Sequence, residues 1–234
     1  MAQRFSKDPE LIDFAYSNLN GVPKGSDDYE KMISGMHYDC WAPELRIARV
    51  KRHEMARLYG DIHLKDKSEE EFTKERYDYI CKVFGKVGKD VYMEPPFNVD
   101  YGFNISIGDY FYANFNMTIL DCSIVKIGNY VQFGPNCVLT CATHHLDPVE
   151  RCHKSNEWAR EITIGDYVWL GSNVTILQGA VIGEGAVIGA NTVVKAGQII
   201  PPFSVCVGQP ARVVRTIEGY EGRDKVGFRD LQSS

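Results

Sequence analysis

A six-residue rhythm in the second half of this 234-residue chain limits what it can fold into. From residue 164 the sequence reads IGDYVW, LGSNVT, ILQGAV, IGEGAV, IGANTV and VKAGQI, and each hexad begins with an aliphatic residue. Internal repeats outweigh local propensity as a fold signal, because each unit buries its apolar face only against its neighbours. The fourth position is mostly Asn or Gly, which adopt a left-handed backbone conformation easily. Each hexad therefore predicts a short strand followed by a corner.

Three such corners close a triangle, so three hexads make one turn of a prism. Ile164, Ile182 and Ile200 should then stack about 4.8 Å apart, which is the spacing of paired strands. An earlier block repeats more loosely and slips by two residues after its fourth member. Its first positions are Tyr101, Ile107, Ala113, Ile119, Ile127, Phe133 and Leu139. Together the two blocks predict a β-helix of about four to five turns.

The rhythm is interrupted once by a long insertion. The step from Leu139 to Ile164 spans 25 residues where six are due, so 19 residues are inserted, and they include His144 and His145. Repeat proteins place insertions on one functional face, and loops on rigid frames commonly carry chemistry. An imidazole titrates near neutral pH, so His144 can take a proton from a hydroxyl or amine nucleophile and return it later. The alternative is that His144 only hydrogen-bonds to the loop backbone.

Helical spacing precedes the repeat. Two helices are predicted, YEKMISGMHY capped by Asp28 and PELRIARVKRHEMARLYG with Pro43 in its first turn. Ser68 and Glu71 form a capping box before a third helix, FTKERYDYICKVFG, which is predicted to end at Gly85.

These patterns divide the chain into four parts and predict a mainly β fold class. Residues 1–26 are a polar leader to which no function is assigned, and 27–88 form a small helical module. Residues 89–216 form the β-helix catalytic domain, which carries an inserted loop at 141–162. Residues 217–234 form a C-terminal tail.

Composition excludes several classes of partner. The net charge is −5 and no Lys/Arg cluster could track a phosphate backbone, so nucleic acid is not expected as a partner. No apolar stretch approaches the roughly 20 residues that span a bilayer, and MAQRFSKDPE lacks a secretory h-region, so we expect a cytoplasmic protein without membrane contact. The seven cysteines include no CxxC pair, which argues against a disulfide framework and against a thiolate zinc site.

Several specific motifs carry a resemblance to a known family. They are KMISG, EPPF followed by DYG, FYANFN, LDC, ATHHLDPVER, ITIGDYVWLGSNVTI and VGQPARVVR. The chain resembles the maltose and galactoside O-acetyltransferases, within the hexapeptide-repeat acyltransferases, over residues 28–216. The resemblance implies a left-handed parallel β-helix, a homotrimer with active sites at the subunit seams, and transfer of acetyl from acetyl-CoA to a sugar hydroxyl with no metal required.

The resemblance also implies roles for individual residues at the acceptor. His144 falls on the general base, which takes a proton from the sugar hydroxyl so that its oxygen attacks the thioester directly. Asn114 corresponds to a residue near the acceptor and the reacting centre. Asp100 matches an acceptor contact, and Asp39 or its neighbour Cys40 aligns with an N-terminal acceptor residue. In this interpretation Asn114 and Asp100 are both acceptor residues, and both come from the first repeat block. At Cys122 the galactoside-type enzymes carry a sugar-binding Asp instead.

A second set is implied for the coenzyme. These residues are Trp169, Ser172, Ala190, Lys195, Arg212 and Arg215. Small residues at the prism surface let a pantetheine arm approach the backbone, and arginines suit the nucleotide phosphates. The Ser172 backbone N–H suits a developing oxyanion. The family usually has Thr-Lys where this chain has Lys195-Ala196, so the basic residue is moved by one position.

A zinc enzyme is a second class that shares this scaffold. Gamma-class carbonic anhydrases bind zinc with three histidines at subunit seams, and this chain offers His144, His145 and His153 on one loop. Adjacent residues of an extended segment point in opposite directions, so His144 and His145 are poorly placed to share one ion.

Two further alternatives stay open. Cys122, Cys137 or Cys141 could carry the acyl group covalently beside the histidine, although Cys is often merely a small buried hydrophobe. The prism could also serve only as an assembly scaffold. The acceptor is not specified by the sequence, so glucose, maltose, a galactoside, another polyol or an amine are all compatible with it.

Overall fold

Three parallel sheets form the faces of a prism in the computed structural model, which describes residues 2–154 and 157–219. Face A consists of β1 (Lys86–Val87), β4 (Ile105–Ile107), β7 (Val125–Ile127), β12 (Ile162–Ile164), β15 (Val181–Ile182) and β18 (Ile199–Ile200). Face B consists of β2 (Tyr92–Met93), β5 (Tyr112–Ala113), β8 (Gln132–Phe133), β13 (Trp169–Leu170), β16 (Val187–Ile188), β19 (Ser204–Val207) and β20 (Arg212–Thr216). Face C consists of β3 (Phe97–Val99), β6 (Met117–Leu120), β9 (Val138–Thr140), β14 (Thr175–Leu177) and β17 (Val193–Val194).

The strand register confirms the predicted repeat. Ile164 pairs with Ile182, and Ile182 with Ile200. Ile127 pairs with Ile164, a step of 37 residues, which is one turn of 18 plus the insertion of 19. The predicted corner residues have positive φ angles, for example 58° at Asn173 and 66° at Gly185. The expected four to five turns were too few, because face A alone stacks six strands.

Three edges separate the faces, and each has its own chemistry. Edge AB follows the face-A strands and stacks Tyr110, Tyr130 and Tyr167, with centroid distances of 4.6 and 5.1 Å. Edge BC follows the face-B strands. Edge CA follows the face-C strands and receives the insertion. The inward side chains of all three faces form one continuous apolar core that also includes the helices.

A ladder of asparagine amides runs along edge BC. Asn116 donates to Asn136 at 3.0 Å, Asn136 to Asn173 at 2.9 Å, and Asn173 to Asn191 at 3.1 Å. All four have φ near 60°, so one residue type supplies both the left-handed corner and a bond to the next turn.

Four helices precede the prism, namely α1 (Pro9–Asn18), α2 (Asp27–Ser34), α3 (Pro43–Tyr59) and α4 (Glu69–Val83). None of the helices within residues 2–154 and 157–219 combines the length and apolar character needed to cross a bilayer. The leader contributes α1, which buries Leu11 and Ala15, so this polar segment is packed onto the domain. Most of the predicted tail, from residue 220 onward, lies outside the described residues.

The helix boundaries confirm two predicted signals and correct two. Pro43 opens α3, and Ser68 forms the capping box with Glu71 before α4. Ser26 rather than Asp28 caps α2, because the Asp28 carboxylate accepts the Asp39 N–H instead. Helix α4 ends at Val83, and its C-cap is Phe84 rather than the predicted Gly85.

Candidate active site

His144 lies at the end of a hairpin that the insertion builds on edge CA. The hairpin pairs β10 (Ala142–His144) with β11 (Glu157–Ala159), and between them runs α5 (Pro148–His153). The register places His144 opposite Glu157, and Nδ1 of the imidazole lies 3.6 Å from Oε2 of the carboxylate. The His144 side chain is 51% exposed, so a substrate can reach it. A carboxylate at this position can orient the ring and stabilise an imidazolium.

Glu157 is itself held by two protonated groups. Its carboxylate contacts the Tyr38 hydroxyl and the Cys40 thiol. Burial raises the pKa of Tyr38 well above its usual range and raises the pKa of Cys40 to about 11, so both groups remain donors at neutral pH. The segment after α2 therefore positions the partner of His144.

Asp100 lies on the same edge, at the end of β3. Its Oδ2 accepts a bond from the Cys122 thiol at 3.4 Å, and its Oδ1 lies 3.6 Å from Nε2 of His53 on α3. The Tyr38 hydroxyl also contacts Cys122. Asp100, Cys122, Tyr38 and Glu157 thus form a continuous polar path toward His144.

Asp39 joins this group through its neighbours. Its Oδ1 accepts the Trp41 N–H at 2.9 Å. Arg49 on α3 donates from Nη1 to the Cys40 carbonyl oxygen at 3.3 Å and to the Tyr101 hydroxyl at 2.9 Å. This cross-link fixes the segment that carries Asp39 against the residue that follows Asp100.

A buried carboxyl lies beneath Asp100. Asp121 accepts the backbone N–H groups of Asp100 and Tyr101 through Oδ1, at 3.1 and 2.8 Å, while its buried Oδ2 has no hydrogen-bond partner. Burial, only partly offset by the Tyr101 N–H, raises the pKa of Asp121 to about 7. Asp121 therefore holds the backbone at Asp100 and Tyr101, and it is neutral in mildly acidic solution.

Three of the residues expected at the coenzyme lie on face B or edge BC, away from His144 and Asp100 on edge CA. Ala113 pairs with Phe133, and Phe133 with Leu170, so Asn114 is aligned on edge BC with the corner that carries Ser172. Ala190 follows one turn later, directly against Gly171. Trp169 projects from face B with 54% of its surface exposed.

The other three residues expected at the coenzyme lie in the last turns of the prism. Lys195 follows β17 at the CA corner, where its N–H donates to Gln198. Arg212 and Arg215 lie on β20, the antiparallel strand that pairs with β19, and both are exposed.

One chain therefore brings together His144 and Asp100, with Asp39 on the adjoining segment, but not Asn114. Asp100 and Asn114 both lie in the first repeat block, but on different edges of the prism. The four-residue strand β6 separates these edges, and at 3.3 Å per residue it spans about 13 Å. Within one chain the two residues are therefore not neighbours, and their proposed roles at one acceptor stay a prediction.

Sequence reasoning missed Glu157, Tyr38 and His53. Glu157 follows His144 by 13 residues with no recognisable spacing, and only the antiparallel hairpin brings the two together. Tyr38 and His53 belong to the helical module, whose contacts with the prism have no signal in the repeat.

Other groups bear on the alternatives. Cys122, Cys137 and Cys141 are buried, and burial raises the pKa of each thiol, to about 11 for Cys137. His145 accepts the Asp147 N–H at Nδ1 and packs edge-on against Trp158. Within the described part of the chain, no group of three or more His, Cys, Asp or Glu side chains could hold a metal ion.

Comparisons with known proteins agree with this architecture. Residues 161–196 match the family "Bacterial transferase hexapeptide (six repeats)", and residues 31–88 match the "Maltose acetyltransferase hexapeptide capping motif". A sophorolipid acetyltransferase of Starmerella bombicola is 37% identical over 223 residues, which cover 93% of this chain and 83% of that protein.

Two solved structures are similar over most of the chain. A maltose O-acetyltransferase from Clostridium difficile 630 is 35% identical, with a TM-score of 0.75, over 84% of this chain and all of its own. A galactoside acetyltransferase in complex with coenzyme A is 33% identical, also with a TM-score of 0.75, over 87% of this chain and 98% of its own. The chain therefore belongs to the hexapeptide-repeat acetyltransferases of the maltose and galactoside O-acetyltransferase type.

Proposed function

We propose that this enzyme transfers acetyl from acetyl-CoA to a hydroxyl of a sugar by direct attack, with His144 as general base. The observation that carries the proposal is the pairing of His144 with Glu157 beside the Asp100 pocket. The imidazole takes the proton of the acceptor hydroxyl through Nε2, and the oxygen attacks the thioester carbonyl carbon. The carbon–sulfur bond then breaks, and the imidazolium returns its proton to the leaving CoA thiolate.

The chemistry of edge CA supports an acceptor rich in hydroxyl groups. Asp39, Asp100 and Glu157 offer carboxylates, and His53 lies beside Asp100. Cys122 offers a thiol that donates to Asp100 at 3.4 Å. A relative acts on a sophorolipid and others on maltose or a galactoside by name, which fits the same substrate class.

Edge BC and the last turns suit the coenzyme. We assign Trp169, Ser172 and Ala190 to the pantetheine arm, and Lys195, Arg212 and Arg215 to the phosphates. The backbone N–H of Ser172 is assigned to the oxyanion. A coenzyme A complex of the related galactoside enzyme supports this choice of ligand.

The separation of the two edges favours a homotrimer. If Asn114 acts at the same reacting centre as His144, the two must come from adjacent copies, since about 13 Å of face C divides them within one chain. Cyclic symmetry gives three equivalent sites of this kind and covers exposed prism surface. Light scattering should report about three times the 26.4 kDa chain mass.

Direct transfer is favoured over a covalent enzyme intermediate. Cys122, Cys137 and Cys141 are buried, and their raised pKa values keep them as thiols, whereas a nucleophilic cysteine acts as the thiolate. After mixing with acetyl-CoA alone, intact-mass spectrometry should show no acetyl group on the protein.

The testing experiment compares the two adjacent histidines. His144→Ala should lower acetyl transfer, followed as CoA release with a sugar panel, by about 10² to 10⁴, the usual contribution of a general base. His145→Ala is the matched control, because His145 supports the loop through Asp147 and Trp158, and its effect should be within a few-fold. Near wild-type turnover by His144→Ala would refute the assignment of His144 as the general base.

A further inference from the structure

An exposed tryptophan stands beside the acceptor pocket and has no part in the chemistry assigned above. Trp41 lies between α2 and α3, and 63% of its surface is exposed. Its backbone N–H donates to Oδ1 of Asp39, and the guanidinium of Arg49 lies 5.9 Å from the centre of the indole. Because Arg49 is also bonded to Cys40 and Tyr101, the indole is presented on an anchored segment.

The contacts of its neighbours place Trp41 at the outer side of this pocket. Cys40 contacts Glu157, the partner of His144. Tyr101, which shares Arg49 with Trp41, follows Asp100. Arg49 and His53 lie one turn apart on α3, and His53 contacts Asp100, so the exposed indole beside Arg49 is next to the groups that we propose for the sugar ring.

We infer that Trp41 is a specificity-determining residue that stacks on the aglycone of a glycoside acceptor. An aromatic face packs well against apolar or aromatic groups and poorly against hydroxyls. The preferred acceptor is therefore a sugar with an aryl substituent rather than a methyl glycoside, which leaves the indole face uncovered. This inference rests on the proposed function, since it concerns the acceptor of the same reaction.

The test measures a preference. We compare kcat/KM for phenyl and methyl β-glucoside, at saturating acetyl-CoA, in the wild type, Trp41→Ala, Trp41→Phe and Phe5→Ala. The wild type should prefer the phenyl glycoside, and Trp41→Ala should reduce this preference about fivefold, the size of one aromatic pair. Trp41→Phe should retain most of it. Phe5→Ala removes another exposed aromatic side chain and should retain all of it.

Three results would overturn the inference. They are an absent preference in the wild type, a preference unchanged in Trp41→Ala, and an equal loss for both glycosides, which would indicate that the substitution disturbs the segment.

Light scattering gives a further check, since dissociation of Trp41→Ala oligomers would show that a second copy covers the indole. Transfer to sugars without a Trp41-dependent preference refutes the inference alone. Absence of transfer to any sugar refutes the proposed function, and calorimetry of phenyl β-glucoside with CoA present then tests the stacking by itself.

Discussion

The division of the site between two edges predicts that two inactive variants restore one another. In the homotrimer that we propose, His144→Ala and Asn114→Ala each remove one half of a site shared by adjacent chains. In a mixed trimer, a site works when one chain supplies an intact His144 and its neighbour an intact Asn114. With equal amounts and random assembly, each condition is met half of the time, so about a quarter of the sites should be active.

The assay mixes the two variants in urea, removes the denaturant and measures CoA release. We expect about a quarter of the wild-type rate, which is far above a parent that has lost about 10² or more. A mixture of Asn114→Ala with Ser172→Pro is the same-edge control. Both residues lie on edge BC of one chain, so every site lacks one of them and the rate should stay at the mean of the parents. No gain from the first mixture would refute the shared site.

Three further predictions concern single positions. Glu157→Gln should lower kcat about tenfold, because His144 loses a charged partner, and steady-state kinetics at saturating acetyl-CoA measure this. The raised pKa of Asp121 makes the folded state retain a proton that the unfolded state loses above pH 3.8, so between pH 5 and 8 the wild type should lose about 3 kcal/mol of stability. Asp121→Asn should abolish this slope in urea unfolding, whereas the exposed Asp13→Asn should keep it. Gly85→Ala should destabilise by about 2 kcal/mol or more in the same assay, since its Cβ would meet a backbone carbonyl oxygen at 2.1 Å.

The repeat made most of the prism predictable. Aliphatic first positions and Asn or Gly corners give the strand register, and the gap from Leu139 to Ile164 gives the place of the hairpin. The edge that carries Asn114 follows from the same count, because the hexads align Asn114 with Gly171, the neighbour of Ser172.

The features that the sequence did not predict depend on contacts between residues outside the six-residue repeat. The hairpin turns the chain back so that Glu157 faces His144, and no local pattern encodes that pairing. In the leader, Leu11, Phe14 and Leu19 predict one or two weak amphipathic turns, and the structure forms α1 there with Leu11, Ala15 and Leu19 buried. The choice of Ser26 over Asp28 as a cap depends on a tertiary bond from Asp39.

The antiparallel strand β20 has a consequence for how the protein behaves at high concentration. The last strand of a parallel stack exposes a row of donors and acceptors that a further strand can continue, so bare ends invite fibres. On face B, β20 covers that row with a strand of reversed direction. All five of its residues are exposed, and two are arginines. Charged side chains on an edge strand oppose pairing between edges, so we expect the two arginines of the strand that we assign to coenzyme phosphates also to disfavour end-to-end growth.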